Sequence, residues 1–262
     1  MYFQEAGNSA HETILFLHGG DVAGWMWQPQ LEAFQEQYHC LMPDLPGFGQ
    51  SNQIPWQSFI DTAEQLADLI RERGRNGRSH IVGLSMGGHL ALHLLQTAPD
   101  LVDKVVLSCT AVHPYPPKLR RMVRVVLPLM RFKLFWQAQA HLRRYPADAA
   151  QVYVETGLGI HQESLRRMMA EVMHSTRPKG LETFAHPVLL AAAELDQALI
   201  HESQKDLLDI FPNAQAVIAP KVHHGWSGEN PDLFNRMLHA WLTDSPLPEE
   251  LIPVKTLQTL SI

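Results

Sequence analysis

A single serine between two glycines is the strongest candidate for a reactive group in this sequence. Residues 83–87 read Gly-Leu-Ser-Met-Gly, after the apolar Ile81 and Val82 and before the helix-forming residues 90–95. A serine on a sharp turn from strand to helix must adopt a strained backbone, and small neighbours make room for that turn. Its hydroxyl is then exposed at a helix N-terminus, where the next backbone N–H can bind an oxyanion. Ser85 is therefore predicted to be a nucleophile; the alternative is a serine that caps the following helix.

A nucleophilic serine needs partners, because its hydroxyl is hardly ionised at neutral pH. It requires a base to remove the proton and an acid to orient that base. Two histidines, His223 and His224, stand side by side near the end of the chain. Two carboxylates, Glu194 and Asp196, follow the apolar run at residues 188–193. These residue types predict nucleophilic catalysis at a carbonyl group, and the choice within each pair is open at this point.

The rest of the chain alternates between buried strands and amphipathic helices. Apolar runs predict strands, and apolar residues three or four positions apart predict helices. The predicted strands are residues 1–7, 13–17, 39–42, the run before Ser85, 104–108, 188–193 and 214–219, and the predicted helices are 28–38, 58–72, the segment after Ser85, 201–210 and 231–241. This alternation predicts an α/β fold in which helices cover both faces of a mostly parallel sheet.

The alternation stops after the fifth long strand. Between residues 113 and 178 the sequence shows only helical patches separated by prolines. We therefore predict a core formed by residues 1–112 and 179–244, with a helical insertion at residues 113–178. The tail, residues 245–262, combines three prolines with several aliphatic side chains, which leaves open whether it packs on the surface or is loose.

With these elements in place, the sequence resembles the α/β-hydrolase superfamily. Residues 18–20 read His-Gly-Gly after an early strand, residues 44–51 read Asp-Leu-Pro-Gly-Phe-Gly-Gln-Ser after the next, and the serine turn follows. A carboxylate then comes after a later strand and a histidine before the final helix. Each motif is weak alone, but five in the family's order are a strong signal. The resemblance covers nearly all of the chain, weakly in the insertion and not in the tail, and implies that the insertion is a lid.

The resemblance also implies a role for each member of the two pairs. The segment that begins at His224 is similar to the family's closing segment, in which the catalytic histidine lies five residues before a Glu-x-Pro. His224 is therefore predicted to be the base, and His223 an exposed or supporting side chain. Asp196 takes the usual acid position, with Glu194 supporting the loop. The family's other acid position, at residues 108–111, reads Ser-Cys-Thr-Ala and lacks a carboxylate.

Two backbone N–H groups should form an oxyanion hole in such a site. The resemblance assigns one to Met86 and the other to the His-Gly-Gly loop, most simply to Gly20, with Asp21 as the second choice. The histidine of that loop is predicted to bond the loop backbone. Asp21, Trp25 and Trp226 are further predicted to contact the substrate, and for Trp25 a place in the core is an equal alternative.

Charge and cysteine content limit the possible partners. The net charge of −6 argues against nucleic acid as a partner. Cys40 and Cys109 both lie in apolar runs, so they are predicted to be buried thiols, and a cytoplasmic location is expected. Residues 1–10 lack a signal-peptide pattern, and no apolar run reaches transmembrane length.

The helical insertion differs in charge from the rest of the chain. It carries 11 Lys and Arg against four Asp and Glu, a net charge of +7, whereas the remaining residues sum to −13. Its first part mixes these basic residues with large apolar side chains. The favoured interpretation is a lid whose apolar face covers the pocket and whose basic face is solvated. The alternative is weak contact with an anionic membrane surface, or attraction of anionic substrates.

These observations predict a serine hydrolase that cleaves a carboxylic ester of a small molecule with an apolar acyl or alcohol group. No cofactor is expected, and no metal, because His89 and His93 lack a third ligand. One alternative is another bond on the same triad: a thioester, amide, lactone or C–C bond. A second is a ligand-binding or signalling protein on a hydrolase scaffold. The dehalogenases and epoxide hydrolases of this superfamily carry aspartate as nucleophile and are disfavoured. The oligomeric state is not determined.

Overall fold

One mixed sheet runs through the molecule in the computed structural model, which describes residues 1–143 and 145–254. Within these ranges eight strands follow the spatial order β1-β3-β2-β4-β5-β6-β7-β8. The strands are β1 (Phe3–Ala6), β2 (Thr13–Leu17), β3 (His39–Pro43), β4 (Ser79–Leu84), β5 (Val102–Ser108), β6 (Val188–Ala193), β7 (Ala214–Ala219) and β8 (Ile252–Pro253). The six inner strands are parallel, while β1 and β8 pair antiparallel at the two edges. The predicted mostly parallel sheet is confirmed.

Four of the inner strands are buried along their whole length because both faces of the sheet are covered. Every residue of β2, β3, β4 and β6 is buried. Successive side chains of a strand point to opposite faces, so complete burial requires helices on each side. The continuous apolar runs in the sequence, rather than alternating ones, are the signature of this arrangement.

Ten α-helices lie in the described residues and pack around the sheet. They are α1 (Gln28–Phe34), α2 (Phe59–Arg73), α3 (Met86–Thr97), α4 (Pro117–Val126), α5 (Lys133–Leu142), α6 (Ala147–Gly159), α7 (Gln162–His174), α8 (Ala198–Ile210), α9 (Trp226–Glu229) and α10 (Pro231–Leu242). The first helix is shorter than the predicted 28–38. It ends at Phe34, and Tyr38 packs on that ring, at 5.8 Å between centroids, from a turn.

Four of these helices, α4 to α7, lie between β5 and β6, and the described residues there contain no strand. A 3₁₀ turn, Leu127–Arg131, joins α4 to α5. Large side chains such as Trp136 and Tyr153 are fully buried, so this insertion has its own packed interior. The domain boundaries given above stay a prediction. In the ranges 1–143 and 145–254, none of the helices has the length and apolar character needed to cross a bilayer.

The first part of the tail packs on the sheet. Residues Ile252 and Pro253 form β8 against β7, the Val254 N–H donates to the Ala216 carbonyl at 2.8 Å, and Leu251 is buried. This settles, for residues 245–254, the choice that the sequence left open. Residues 255–262 of the predicted tail lie outside the described residues.

Candidate active site

Ser85 stands alone between β4 and α3 in a backbone conformation that few residues adopt. Its φ is 55° and its ψ is −109°. The turn fits only because its neighbours lack side chains: a Cβ on Gly83 would lie 2.4 Å from the Gly87 carbonyl oxygen, and a Cβ on Gly87 would lie 2.1 Å from that of Leu17. The Ser85 side chain makes no capping hydrogen bond at the start of α3. The strained backbone therefore holds a hydroxyl that does not stabilise the helix, which is typical of a residue with a functional role.

Asp196 and His224 are brought together from two different loops. Asp196 follows β6 and His224 follows β7, and the His224 Nδ1 lies 2.8 Å from the Asp196 Oδ2. The Asp196 side chain is only 3% exposed, while that of His224 is 42% exposed. Burial opposes ionisation of Asp196, but the hydrogen bond and charge of His224 outweigh it and hold the pKa of Asp196 below its usual value. An ionised Asp196 can orient the His224 ring.

The neighbouring candidates, His223 and Glu194, form contacts that stabilise the loops after β6 and β7. His223 is 68% exposed, and its Nδ1 lies 3.0 Å from the Glu229 Oε1. Glu194 accepts a hydrogen bond from the Lys221 N–H at 2.7 Å and so ties the β6 loop to the β7 loop. The structure therefore places His224, and not His223, against a buried carboxylate.

Ser85 is connected to this pair through the end of β5. Its N–H donates to the Ser108 carbonyl at 2.8 Å. The next residue, Cys109, places its Sγ in a group with the Asp196 and His224 ligand atoms, all within 4.8 Å of one another. Ser85 Oγ makes no hydrogen bond to any other described residue, and catalytic hydrogen bonds often close only when substrate is bound. The three predicted triad residues thus follow the carboxyl ends of β4, β6 and β7, at one edge of the sheet.

Cys109 is a part of the site that its sequence pattern does not predict. Its apolar surroundings predict only a buried thiol, although residues 108–111 are the family's other acid position. Burial, followed by the charge of Asp196, raises the pKa of the Cys109 thiol. The Asp196 Oδ2 is bonded to the His224 Nδ1, so the Cys109 thiol lies against an already hydrogen-bonded pair.

The loop that begins at His18 is held in place by hydrogen bonds of the His18 ring. The Leu45 N–H donates to the His18 Nε2 at 3.0 Å, and the His18 Nδ1 lies 2.8 Å from the Gly19 carbonyl oxygen. Both contacts are satisfied by one neutral tautomer, and burial lowers the pKa of His18, which favours that neutral ring. The next residue, Gly20, faces Met168 of α7: a Cβ on Gly20 would lie 3.4 Å from the Met168 Cε.

Asp21 and Trp25 join this loop to the helical insertion. Asp21 forms an ion pair with Arg143, and the Tyr153 hydroxyl lies 3.1 Å from its Oδ2. The half-buried Trp25 donates its indole N–H to the Thr156 Oγ1 at 2.9 Å. The predicted lid thus contacts the segment that follows Gly20 through the Asp21 carboxylate and the Trp25 indole N–H.

Trp226 does not fit its predicted role. It is fully buried, stacks edge-on against Phe234 at 4.7 Å and donates its indole N–H to the Ser108 Oγ at 2.9 Å. Because the Trp226 side chain has no exposed surface and its N–H is already bonded, the prediction that it contacts the substrate is wrong. Its contact with Ser108 instead braces the end of β5.

The two helical histidines lie in the packing between α2 and α3. His93 stacks on Phe59 at 5.5 Å, and His89 lies at 5.3 Å from the same ring. Burial, with a smaller contribution from His93, lowers the pKa of His89 to about 3. Within the described ranges, neither residue belongs to a group of potential metal-ligating side chains.

Comparison with known proteins places these features in a family. The sequence model for the alpha/beta hydrolase fold matches residues 12–151. The chain is 28% identical over 259 residues to an AB hydrolase superfamily protein of Gibberella zeae, covering 96% of this chain and 88% of that one. It is 26% identical over 260 residues to a putative carbamate hydrolase, RutD, of Caulobacter sp., covering 93% and 96%. A thermophilic esterase from Thermogutta terrifontis has a similar fold, with a TM-score of 0.78, 22% identity and 93% coverage of each chain.

Proposed function

The chain belongs to the alpha/beta hydrolase fold family and is a hydrolase, and we propose that the bond it cleaves is a carboxylic ester. In this proposal Ser85 is the nucleophile, His224 is the general base and Asp196 orients His224. Met86 and Gly20 supply the two backbone N–H groups of the oxyanion hole. The proposal needs no cofactor.

The observation that carries the proposal is the 2.8 Å contact between His224 Nδ1 and the buried Asp196 Oδ2, at the same edge of the sheet as the strained turn of Ser85. With the Nδ1 proton held by Asp196, the His224 Nε2 has a free lone pair that can accept the Ser85 proton. A ligand-binding scaffold has no need of a buried carboxylate, an oriented imidazole and a strained serine together.

The reaction follows from these positions. Ser85 Oγ forms a bond to the ester carbonyl carbon while His224 accepts its proton, and the negative charge that develops on the carbonyl oxygen is bound by the two N–H groups. The C–O bond to the alcohol then breaks, and His224 returns the proton to the leaving oxygen. Water then attacks the acyl carbon while His224 accepts its proton, the bond from that carbon to Ser85 Oγ breaks, and His224 returns the proton to Ser85 Oγ as the carboxylic acid is released.

The side chains around Gly20 support an apolar substrate. Met168 of α7 and Met86 both approach the space next to Gly20, and the half-buried Trp25 lies at the start of the adjoining segment. Both methionines are buried, so a substrate group reaches them only when these flexible side chains shift, whereas the partly exposed flat indole of Trp25 can contact an apolar acyl or alcohol group directly. The proposed substrate is therefore a small ester with an apolar group. Both cysteines are buried free thiols, which supports the expected cytoplasmic location.

A carbamate is the second candidate substrate. A relative named putative carbamate hydrolase matches 93% of this chain, and a carbamate carbonyl is open to the same attack by a serine. Matched substrates that share one apolar alcohol and differ only in the ester or carbamate group separate the two. A larger kcat/KM for the carbamate would replace the ester proposal.

A fluorophosphonate probe tests the proposal directly. Such a probe forms a covalent bond with an activated serine, so the wild-type protein should be labelled and the Ser85→Ala variant should not. Ser9→Ala, which changes an exposed serine far along the chain, is the matched control and should label like the wild type. An unlabelled wild-type protein, or a labelled Ser85→Ala variant, would overturn the proposal, and the first result would favour a ligand-binding protein.

A further inference from the structure

The first half of the helical insertion leaves several large apolar side chains in solvent. Val125 is 69% exposed and Leu134 is 76% exposed. Met122, Leu129 and Phe132, which lie between or next to them, are each about half exposed. Scattered exposed apolar residues are common, but here five fall within 13 consecutive residues, 122–134, which marks an interaction surface.

Helix α4 shows that this exposure is not a gap in the core packing. Its inward side is already used, because Leu119, Val123 and Leu127 pack against the core. At 100° per residue, Met122 and Val125 lie on the opposite side of α4, together with Lys118 and Arg121. The helix therefore has one apolar face that packs on the protein and a second, mixed basic and apolar face that no described residue covers.

The charge of this region is one-sided. Residues 113–147 contain eight Lys and Arg and no Asp or Glu. Six of them, Lys118, Arg120, Arg121, Arg124, Arg131 and Lys133, form no ion pair with a described carboxylate, and all but Arg120 are exposed. The rest of the chain outside the insertion sums to −13. The exposed surface of this segment, residues 117–134, is thus basic and apolar, whereas the chain outside the insertion carries a net negative charge.

We propose that this face, residues 117–134, docks on the surface of an anionic lipid bilayer. The interfacial layer of such a membrane accepts both kinds of side chain, since apolar groups enter the acyl boundary while Lys and Arg meet the lipid phosphates. The acidic remainder of the molecule is repelled by the same surface, which orients the protein with α4 towards the lipid. A symmetric contact between two copies is disfavoured, because it would bring two acid-free basic faces together.

Flotation with lipid vesicles tests this docking without any measure of catalysis. The wild-type protein should float with vesicles of equal parts phosphatidylcholine and phosphatidylglycerol. With vesicles of phosphatidylcholine alone, it should remain at the bottom of the gradient while the vesicles rise. Binding should weaken as salt is raised, because the attraction is screened. The variant Arg121→Gln should bind about fivefold more weakly, the effect of one basic group near an anionic surface.

Two further variants locate the contact. Val125→Asp together with Leu134→Asp should lose at least tenfold in vesicle binding, since two charges replace apolar groups at the lipid boundary. Ile60→Asp on α2, where the side chain is 49% exposed on the acidic body, is the matched control and should bind like the wild type. Equal unfolding temperatures of the variants show that both are folded.

Three results would overturn the proposal. The first is no flotation of the wild type with anionic vesicles at low salt. The second is equal loss of binding in the Ile60→Asp control and in the double variant. The third is a dimer in light scattering that the double variant abolishes while no vesicle binding is seen, which would assign the face to contact between copies. Each result is independent of whether the hydrolase proposal holds.

Discussion

The carboxylate of Asp21, one residue beyond Gly20, forms an ion pair with the guanidinium of Arg143 at the end of α5. The buried Tyr153 also reaches Asp21, at 3.1 Å from its Oδ2. Burial and the charge of Asp21 raise the pKa of Tyr153, so its hydroxyl stays protonated and donates. The helical insertion thus holds the loop that would carry the second oxyanion donor. Asp21 was predicted to contact substrate; its observed partners make it a positioning residue in this proposal.

Removing Arg143 should therefore slow the reaction without unfolding the protein. The Arg143→Ala variant frees the Asp21 loop, and we expect kcat on a soluble ester to fall about tenfold, part of the effect of losing one oxyanion donor, with KM nearly unchanged. Arg166→Ala, which breaks the exposed pair with Glu163 on α7, is the control and should leave kcat unchanged. Equal kinetic effects of the two variants would show that Arg143 does not position the loop.

Replacing Asp196 by asparagine should remove most of the turnover. The neutral amide of the Asp196→Asn variant cannot stabilise the imidazolium that forms when His224 takes the Ser85 proton, and we expect kcat to fall about 10⁴-fold with the fold intact. Steady-state kinetics and circular dichroism measure the two quantities. Glu194→Gln, a neighbouring carboxylate that bonds only the Lys221 backbone, should lose less than about tenfold. A small loss in Asp196→Asn would show that another carboxylate has this role.

The two adjacent histidines give opposite predictions. His224→Ala should be inactive towards an ester, because it removes the base that Asp196 orients. His223→Ala should keep most of its activity, since it breaks only an exposed pair with Glu229. Both variants are assayed with the same ester and the same fluorophosphonate probe. An active His224→Ala variant with an inactive His223→Ala variant would reverse the assignment.

The buried His89 predicts how stability depends on pH. Its pKa is lowered from 6.5 to about 3 by burial and by His93. Between these values the unfolded chain binds a proton that the folded chain does not, so the unfolding free energy falls as the pH falls, by about 1.4 kcal/mol per pH unit. Below about pH 3 the folded protein is protonated as well, and this dependence ends.

Denaturant unfolding at several pH values between about 6 and 4 measures this effect. The His89→Leu variant should show a weaker pH dependence than the wild type, because the group that titrates only in the unfolded chain is gone. His239→Leu on α10, where the side chain is exposed, should keep the wild-type dependence. Identical pH dependences of the wild type and His89→Leu would contradict the prediction.

Much of the fold was readable in the sequence because the central strands are continuous apolar runs. The bounds of Thr13–Leu17, Val188–Ala193 and Ala214–Ala219 were predicted to the residue. The antiparallel edge strand Ile252–Pro253 was not predicted, because two residues carry no periodic pattern and their pairing depends on where the tail reaches β7. Trp226 was misplaced for a related reason: sequence shows that a tryptophan lies near His224, but not which side of the loop it packs on.

The sequence by itself predicted nucleophilic catalysis by a serine, because the features that indicate it are local patterns. These are Ser85 between two glycines, two histidines near the end of the chain, and two carboxylates directly after a strand. The tertiary structure decided which members of each pair meet. The residue types alone do not separate His223 from His224; the family resemblance favours His224, and the loop after β7 turns His224 onto the buried Asp196 and His223 onto Glu229. The contacts of Cys109 with Asp196 and of Arg143 with Asp21 likewise join residues 87 and 122 positions apart in the chain. No local pattern encodes such distances, because they arise only when parallel strands align their ends and the insertion folds back over them.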